Sequence, residues 1–229
     1  MASDSRTTAG TAARKAERRA QALAAQARQA RRRTQRKILI AVVALVAVTG
    51  ALYAVFQHSN TPAKGGYAVG SPGIGQTAPG FSLAASTGGT VSLAQLRGKS
   101  VLLYFQEGLT CQPCWDQLTD IQNNAAKLKA AGIDQVLSIT TDPANLIVQK
   151  TADMHLSTPV LSDPDLTVSV SYHANDYGMM GTSRDGHTFI LVGPDGLIRW
   201  RADYGGAPNY TMDVPVTQLL ADLKAGEKR

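Results

Sequence analysis

Residues 101–118 read VLLYFQEGLTCQPCWDQL and contain the features that decide the fold. Val101–Phe105 is a run of five apolar residues, which is typical of a strand buried at the centre of a sheet. A short loop follows, and the stretch from Gln112 to about Ala131 has the composition of a helix that Gly132 ends. The segment therefore predicts a strand, a turn and a helix, with Cys111 and Cys114 on the turn that opens the helix.

The sequence on both sides of this unit alternates between predicted strands and helices. Two short alternating stretches within residues 81–93 flank the turn Thr87-Gly88-Gly89 and predict a hairpin. The order of elements predicts an α/β fold, a sandwich with a central mixed β-sheet flanked by helices. The other predicted strands are Gln135–Thr140, Val160–Leu161, Thr188–Val192 and Leu197–Trp200, and the other predicted helices are Pro143–Met154, Leu166–Tyr172 and Val216–Leu223.

The two cysteines are the strongest chemical signal in the chain, which has no others. Thiols three residues apart at the start of a helix lie close enough to form a disulfide, and the helix dipole lowers the pKa of the first thiol. A reactive Cys111 can then attack a disulfide, and Cys114 can resolve the mixed disulfide that results. A purely structural disulfide, or two buried thiols, is the alternative. The strand–turn–helix context favours redox or metal chemistry.

The net charge of +6 is unevenly distributed along the chain. Residues 1–37 contain 11 Lys and Arg against 2 acidic residues, whereas residues 38–229 contain 12 against 15. The basic character therefore belongs to a tail, for which we expect a cytoplasmic location, and the rest of the chain is mildly acidic. This distribution argues against nucleic acid as a partner of the folded domain.

An uncharged stretch of 19 residues, Ile38–Phe56, follows the basic tail directly. As a helix it would extend ~29 Å, about the thickness of one hydrocarbon core. The positive-inside rule then predicts a single-pass anchor in the cell membrane, with the N-terminus cytoplasmic and the C-terminal domain extracytoplasmic. A cleaved signal peptide and a buried globular helix are the alternatives. Residues 57–73, rich in Pro, Gly, Ser and Asn, are predicted to be a flexible linker to a domain over residues 74–229.

Several short motifs occur within about residues 74–205. They are GQTAPGFSL at 75–83, VSL at 91–93, LRGK at 96–99, VLLYF at 101–105, TDP at 141–143, PVLSDPD at 159–165 and TFILVGPDG at 188–196. Together they resemble the alkyl hydroperoxide reductase/thiol-specific antioxidant (redoxin) branch of the thioredoxin superfamily. The resemblance implies a thioredoxin-like fold, with peroxiredoxins and membrane-tethered thiol–disulfide oxidoreductases as relatives.

The chain departs from the peroxiredoxin pattern at the residues that support the reactive cysteine. Peroxiredoxins carry Pro-x-x-x-Thr-x-x-Cys, and placing Cys114 on that cysteine puts Cys111 at the threonine position and Glu107 at the proline position. Both supporting residues are therefore replaced. From this loss we expect slow turnover of peroxide, which makes a thiol peroxidase the alternative function and not the first one.

Two further residues are candidates for the site. Thioredoxins have a cis-proline on the loop that faces the cysteine pair. Counting back from Asp195-Gly196 puts His187 at that position, whereas counting from Thr188-Phe189 puts Gly186 there. His187 is either a loop histidine bonded to backbone or a third ligand beside two thiolates. With Cys111 and Cys114 it would form a soft site for Cu(I) or Zn(II), similar to the Sco-type copper chaperones, although those have Cys-x-x-x-Cys. Glu107 could exchange a proton with Cys114 as a general base, or be an exposed loop carboxylate.

The expected function is a membrane-tethered, extracytoplasmic thiol–disulfide oxidoreductase that acts through Cys111 and Cys114 and reduces exported protein thiols. Its expected partners are protein disulfide clients and an electron donor such as a membrane thiol transporter, and no cofactor is required. The alternatives are a peroxiredoxin-type thiol peroxidase and a non-enzymatic copper-binding or copper-delivery module that uses Cys111, Cys114 and His187.

Overall fold

The computed structural model describes residues 37, 39–51 and 66–226. Residues 39–51 are helical. Among the residues described, no helix combines the length and the apolar character that crossing a membrane requires. The predicted transmembrane helix over Ile38–Phe56 is therefore not confirmed. Residues 1–36, 38 and 52–65, which include the predicted basic tail and most of the predicted linker, lie outside the described part of the chain.

A seven-stranded mixed sheet organises residues 66–226, with the strand order β2-β1-β5-β4-β3-β6-β7. β3 and β4 are parallel, as are β4 and β5, whereas β6 pairs antiparallel with both β3 and β7. β3 is thus central, which agrees with its five fully buried residues. The strands are β1 (Ser82–Ala85), β2 (Thr90–Ser92), β3 (Val101–Phe105), β4 (Gln135–Thr140), β5 (Val160–Ser162), β6 (Thr188–Val192) and β7 (Ile198–Asp203).

Helices flank the sheet, and the alternation of side chains along β3 divides the core between its two faces. Leu102 and Tyr104 belong to one apolar cluster, together with Trp115 and Leu118. Leu103 and the other odd-numbered residues of β3 belong to a second cluster. This is the predicted α/β sandwich. The helices are α1 (Gln112–Asn123), α2 (Ala125–Ala130), α3 (Ala144–Asp153), α4 (Thr167–Ser171) and α5 (Val216–Gly226).

The helix predicted from Gln112 to about Ala131 is interrupted at Asn124, which separates α1 from α2. The Asn124 side-chain amide donates to the main-chain oxygen of Asp120 at 2.9 Å and to its carboxylate at 2.7 Å. Asparagine side chains compete in this way with the helical ladder, and a continuous helix is lost at that residue. The apolar pattern alone does not reveal such a break.

The N-terminal side of the folded unit reaches back beyond Ile74, where the domain was predicted to begin. Tyr67 is buried in the core cluster that contains Trp200. Ala68 forms a two-bond antiparallel bridge with Asp203 at the end of β7. The Gly70 amide donates to the Asp203 carboxylate at 2.6 Å. The last residues of the predicted linker therefore pack as part of the domain.

Asp203 also belongs to a buried ion pair within β7. Its carboxylate accepts hydrogen bonds from Arg201 Nε at 2.9 Å and from Thr188 Oγ1 at 2.8 Å. Arg201 Nη1 donates in turn to the Tyr172 carbonyl at 2.8 Å. Neither charged side chain is exposed to solvent. Such a pair holds its neighbours in place because each polar group depends on the others for hydrogen bonds.

Candidate redox site

The two cysteines lie where the sequence predicts them, at the start of α1. Cys111 is the N-cap residue, and its Sγ accepts a hydrogen bond from the Cys114 amide at 3.3 Å. The two residues are joined by a disulfide, with their Cα atoms 5.4 Å apart. Cys111 retains 8% of its surface exposed, whereas Cys114 is completely buried. A molecule from solvent therefore meets Cys111 first.

The loop between β3 and α1 follows a path that requires a glycine. Gly108 has a φ of +86°, and a Cβ atom at this position would collide with the side chains of Asp142 and Thr140. The Gly108 carbonyl accepts hydrogen bonds from the Cys111 amide and from Trp115 Nε1, both at 3.0 Å. Gly108 thus connects the loop to the first turn of α1, a role that the motif spacing did not indicate.

Glu107 holds this loop against the facing loop that precedes β6. Its Oε1 accepts from the Met179 amide at 2.5 Å, and its main-chain oxygen accepts from Arg184 Nη1 at 3.1 Å. The same Arg184 nitrogen pairs with Asp142 at 3.0 Å, and Asp142 accepts from the Leu109 amide at 2.6 Å. These contacts give Glu107 a role in holding two loops together. Its predicted role as a general base toward Cys114 stays a prediction.

His187 lies on the facing loop, as predicted, but it contacts the cysteine turn through Tyr104. His187 Nδ1 is 3.1 Å from Tyr104 Oη, and that hydroxyl donates to the Cys114 carbonyl at 3.2 Å. His187 is fully buried, and its Nε2 has no hydrogen-bond partner among residues 66–226. Burial lowers the pKa of His187 to about 3, so the ring is neutral at physiological pH.

Tyr104 is the residue at this site that the sequence analysis missed. It is fully buried in β3, and its ring stacks on Phe189 of β6 with centroids 4.5 Å apart. Burial is the main reason that its pKa is raised well above the usual value, with the nearby carboxylates of Asp213 and Glu107 adding to the effect. Its hydroxyl therefore keeps its proton and remains a donor to the Cys114 carbonyl.

The predicted metal site is not assembled. Within the described part of the chain, no group of three or more His, Cys, Asp or Glu side chains is placed to hold a metal ion. The predicted ligands Cys111 and Cys114 are bonded to each other, and Nδ1 of the third, His187, is engaged by the Tyr104 hydroxyl. This is the disulfide form, whereas the predicted ligands are the two thiolates of the reduced protein. The Cu(I) or Zn(II) site and the copper-delivery alternative therefore stay predictions for the reduced form.

Acid should destabilise the folded domain through His187. Its pKa is about 3 in the folded state and ~6.5 in an unfolded chain. Between these values the unfolded chain binds a proton that the folded protein does not, so stability falls as the pH falls, by up to ~1.4 kcal/mol per pH unit. We expect His187→Leu to flatten this dependence in urea unfolding experiments between pH 7 and pH 4.5.

The matched control for this experiment is His173→Asn, at a histidine with a largely exposed side chain. This variant keeps His187, so it should keep the pH dependence that His187 contributes. Burial raises the pKa of the Asp185 carboxyl, so Asp185 changes the free energy of unfolding with pH in the opposite direction to His187. Asp185 is present in every variant, so its contribution cancels when the acid slopes of two variants are compared. Equal acid slopes in the wild type and His187→Leu would contradict the assignment.

Comparison with known proteins identifies relatives of the domain. The model of the AhpC/TSA family matches residues 74–201. A putative peroxiredoxin of Mycobacterium tuberculosis is 34% identical over 129 residues, which cover 54% of this chain and 80% of the relative. Peroxiredoxin Bcp of Escherichia coli is 32% identical over 127 residues, which cover 54% and 81% respectively.

Solved structures agree at the level of the fold. Peroxidoxin BcpB of Mycobacterium tuberculosis matches with a TM-score of 0.55 and 21% identity over 66% of this chain and 96% of its own. AhpC of Enterococcus faecalis matches with a TM-score of 0.57 and 18% identity over 68% and 92%. The mixed sheet with flanking helices is therefore the thioredoxin-like fold of peroxiredoxins. The chain belongs to the AhpC/TSA family and is a thiol-dependent oxidoreductase of the antioxidant type.

Proposed function

We propose that this protein is a thiol peroxidase in which Cys111 attacks the peroxide and Cys114 resolves the product. The main support for assigning these roles to the two cysteines is their difference in exposure. Of two cysteines joined on a single turn, only Cys111 retains exposed surface. The peroxiredoxin relatives favour peroxide as the oxidant over the protein disulfides that the sequence analysis put first.

The proposed reaction has three steps. The Cys111 thiolate attacks one peroxide oxygen; an S–O bond forms, the O–O bond breaks, and the leaving oxygen takes a proton to become water or an alcohol. The Cys114 thiol then attacks the Cys111 sulfenic acid, so that the S–S bond forms and the hydroxyl leaves as water with the Cys114 proton. Two thiols of an external dithiol reduce the disulfide by exchange and become oxidised themselves.

The local environment supports this division of labour between the cysteines. Cys111 is at the N-terminus of α1, where the helix dipole favours a thiolate. The Cys114 amide already donates to Cys111 Sγ. However, in the peroxiredoxin pattern the reactive cysteine aligns with Cys114, and a threonine donor aligns with Cys111. Attack by Cys111 therefore proceeds without that threonine, and removing one such donor costs ~2–4 kcal/mol of barrier. We therefore expect kcat/KM for peroxide to lie well below the diffusional ceiling of ~10⁸–10⁹ M⁻¹s⁻¹.

Exchange with protein disulfides is the second candidate, because the Cys-x-x-Cys pair at a helix start suits that reaction as well. It would use the same cysteines with a client in place of the peroxide. The client and the electron donor stay predictions, which rest on the cysteine pair and on the family resemblance. A location outside the cytoplasm also stays a prediction, which rests on the basic residues 1–37 and the uncharged stretch Ile38–Phe56.

A substrate comparison with the full-length protein tests the proposal. With dithiothreitol as the reductant, we expect saturable consumption of hydrogen peroxide and tert-butyl hydroperoxide that exceeds the enzyme-free rate by at least a hundredfold. Each peroxide consumed should leave one Cys111–Cys114 disulfide when the reductant is omitted. Rapid reduction of insulin disulfides together with peroxide consumption at the enzyme-free rate would refute the peroxidase and support the second candidate.

A further inference from the structure

Within residues 66–226, the Tyr104 hydroxyl is the one side-chain group that connects the facing loop to the carbonyl of a redox cysteine. It donates to the Cys114 carbonyl at 3.2 Å and lies 3.1 Å from His187 Nδ1. A hydroxyl has a single proton. With that proton assigned to the Cys114 carbonyl, we assign the neutral His187 ring the tautomer with its proton on Nδ1, which donates to Tyr104 Oη. The three residues therefore form one chain of hydrogen bonds that ends on the turn with both cysteines.

The other end of this chain is fixed by main-chain hydrogen bonds of His187. The His187 amide donates to the Tyr177 carbonyl at 2.9 Å. Its carbonyl accepts from the amides of Tyr204 at 2.9 Å and Gly205 at 3.1 Å. The imidazole also packs edge-on against the Tyr104 ring, with centroids 5.0 Å apart. These contacts hold His187 in place, and His187 in turn positions the Tyr104 hydroxyl.

We propose that Tyr104 is a positioning residue for the redox pair, acting with His187 to hold the Cys114 carbonyl and so to keep the two sulfur atoms within bonding reach. The inference deepens the proposed function, since it rests on Cys111 and Cys114 being the redox pair. Neither Tyr104 nor His187 exchanges electrons or protons with the substrate in this role.

The proposal predicts which way the dithiol–disulfide equilibrium shifts, because the hydrogen bond to the Cys114 carbonyl restrains the oxidised and the reduced turn to different extents. The disulfide itself constrains the turn in the oxidised protein, whereas the dithiol leaves the first turn of α1 free to relax. A hydrogen bond that keeps the turn in place raises the effective concentration of one thiol toward the other. Losing that bond therefore favours the dithiol over the disulfide, and the disulfide becomes easier to reduce.

The test is the equilibrium of the full-length protein with mixtures of reduced and oxidised dithiothreitol. We expect Tyr104→Phe to shift the equilibrium constant about tenfold toward the dithiol, which corresponds to ~30 mV. His187→Leu should shift it less in the same direction. The double variant should match Tyr104→Phe alone, because His187 acts through the hydroxyl that this variant lacks.

Tyr172→Phe is the matched control. Tyr172 is also fully buried, and its hydroxyl donates to a main-chain carbonyl, that of Pro79, at 2.6 Å. Tyr172 packs against Phe105 in the other core cluster. We expect this variant to lower the melting temperature and to leave the dithiothreitol equilibrium within twofold of the wild type. A purely structural role for Tyr104 would give the same pattern as Tyr172.

Three results would overturn the proposal. They are an equilibrium in Tyr104→Phe within twofold of the wild type, an equal shift in Tyr172→Phe, and additive shifts in the double variant. If Tyr104→Phe is not recovered folded, His187→Leu compared with Tyr172→Phe decides the question by the same measurement. The equilibrium needs no peroxide, so a failure of peroxide turnover would refute the proposed function separately.

Discussion

Replacing Cys111 by serine is expected to abolish thiol-dependent peroxide reduction, with kcat/KM falling by ~10³-fold or more. The serine hydroxyl is not ionised at neutral pH and cannot replace the exposed thiolate at the start of α1. Stopped-flow measurement of peroxide consumption with excess dithiol checks this expectation. The chain has only these two cysteines, so thiol titration of the variant reports Cys114 alone.

Cys114→Ser is the matched variant, and it should behave differently. It keeps the attacking thiol and should consume one peroxide per chain in a fast first turnover. The Cys111 sulfenic acid should then persist, because the resolving thiol is missing, and a sulfenic-acid probe should label Cys111 in the mass spectrum. The opposite pattern, with a first turnover in Cys111→Ser and none in Cys114→Ser, would make Cys114 the attacking thiol.

Removing the charge of Asp203 should cause a large loss of stability. Asp203→Asn leaves the Arg201 guanidinium buried without its counter-charge. Breaking a buried pair in this way costs ~3–5 kcal/mol of the free energy of unfolding. Urea unfolding followed by circular dichroism measures the effect.

The chain supplies a matched control for this substitution close by. Arg199 and Asp195 also form an ion pair, but both side chains are about half exposed. We expect Asp195→Asn to leave the free energy of unfolding close to that of the wild type, because solvent screens exposed pairs. A loss below 1 kcal/mol in Asp203→Asn would show that the pair does not hold the end of β7 in place.

The central strands were predictable because the residues of each strand alone identify it. Val101–Phe105, Gln135–Thr140 and Thr188–Val192 have the observed bounds, since a strand buried on both faces leaves a nearly continuous apolar run. β7 extends beyond its predicted end at Trp200, because Arg201 and Asp203 are buried as a pair. A sequence pattern treats charged residues as exposed, and only the pairing in three dimensions makes their burial favourable.

The site was predictable where its residues are close together in the sequence. Cys111 and Cys114 belong to one turn, and a local motif is sufficient to find them. Tyr104 was not recognised, because in an apolar run a tyrosine resembles any other core residue. One signal was present: a buried tyrosine hydroxyl needs a partner, and Tyr104 lies ten residues before Cys114. The partner itself depends on how β3 and α1 pack, which the sequence does not state.

The bridge between Ala68 and Asp203 determines where mechanical force enters the domain. β7 is the edge strand of the sheet, and a pull on the chain from its N-terminal side reaches this bridge after Tyr67. The residue that directly follows β7 is Tyr204, whose amide donates to the His187 carbonyl. Tension applied to the segment before Tyr67 would therefore act one residue away from the group that anchors the Tyr104 hydroxyl, and through that hydroxyl on the turn that holds the cysteine pair.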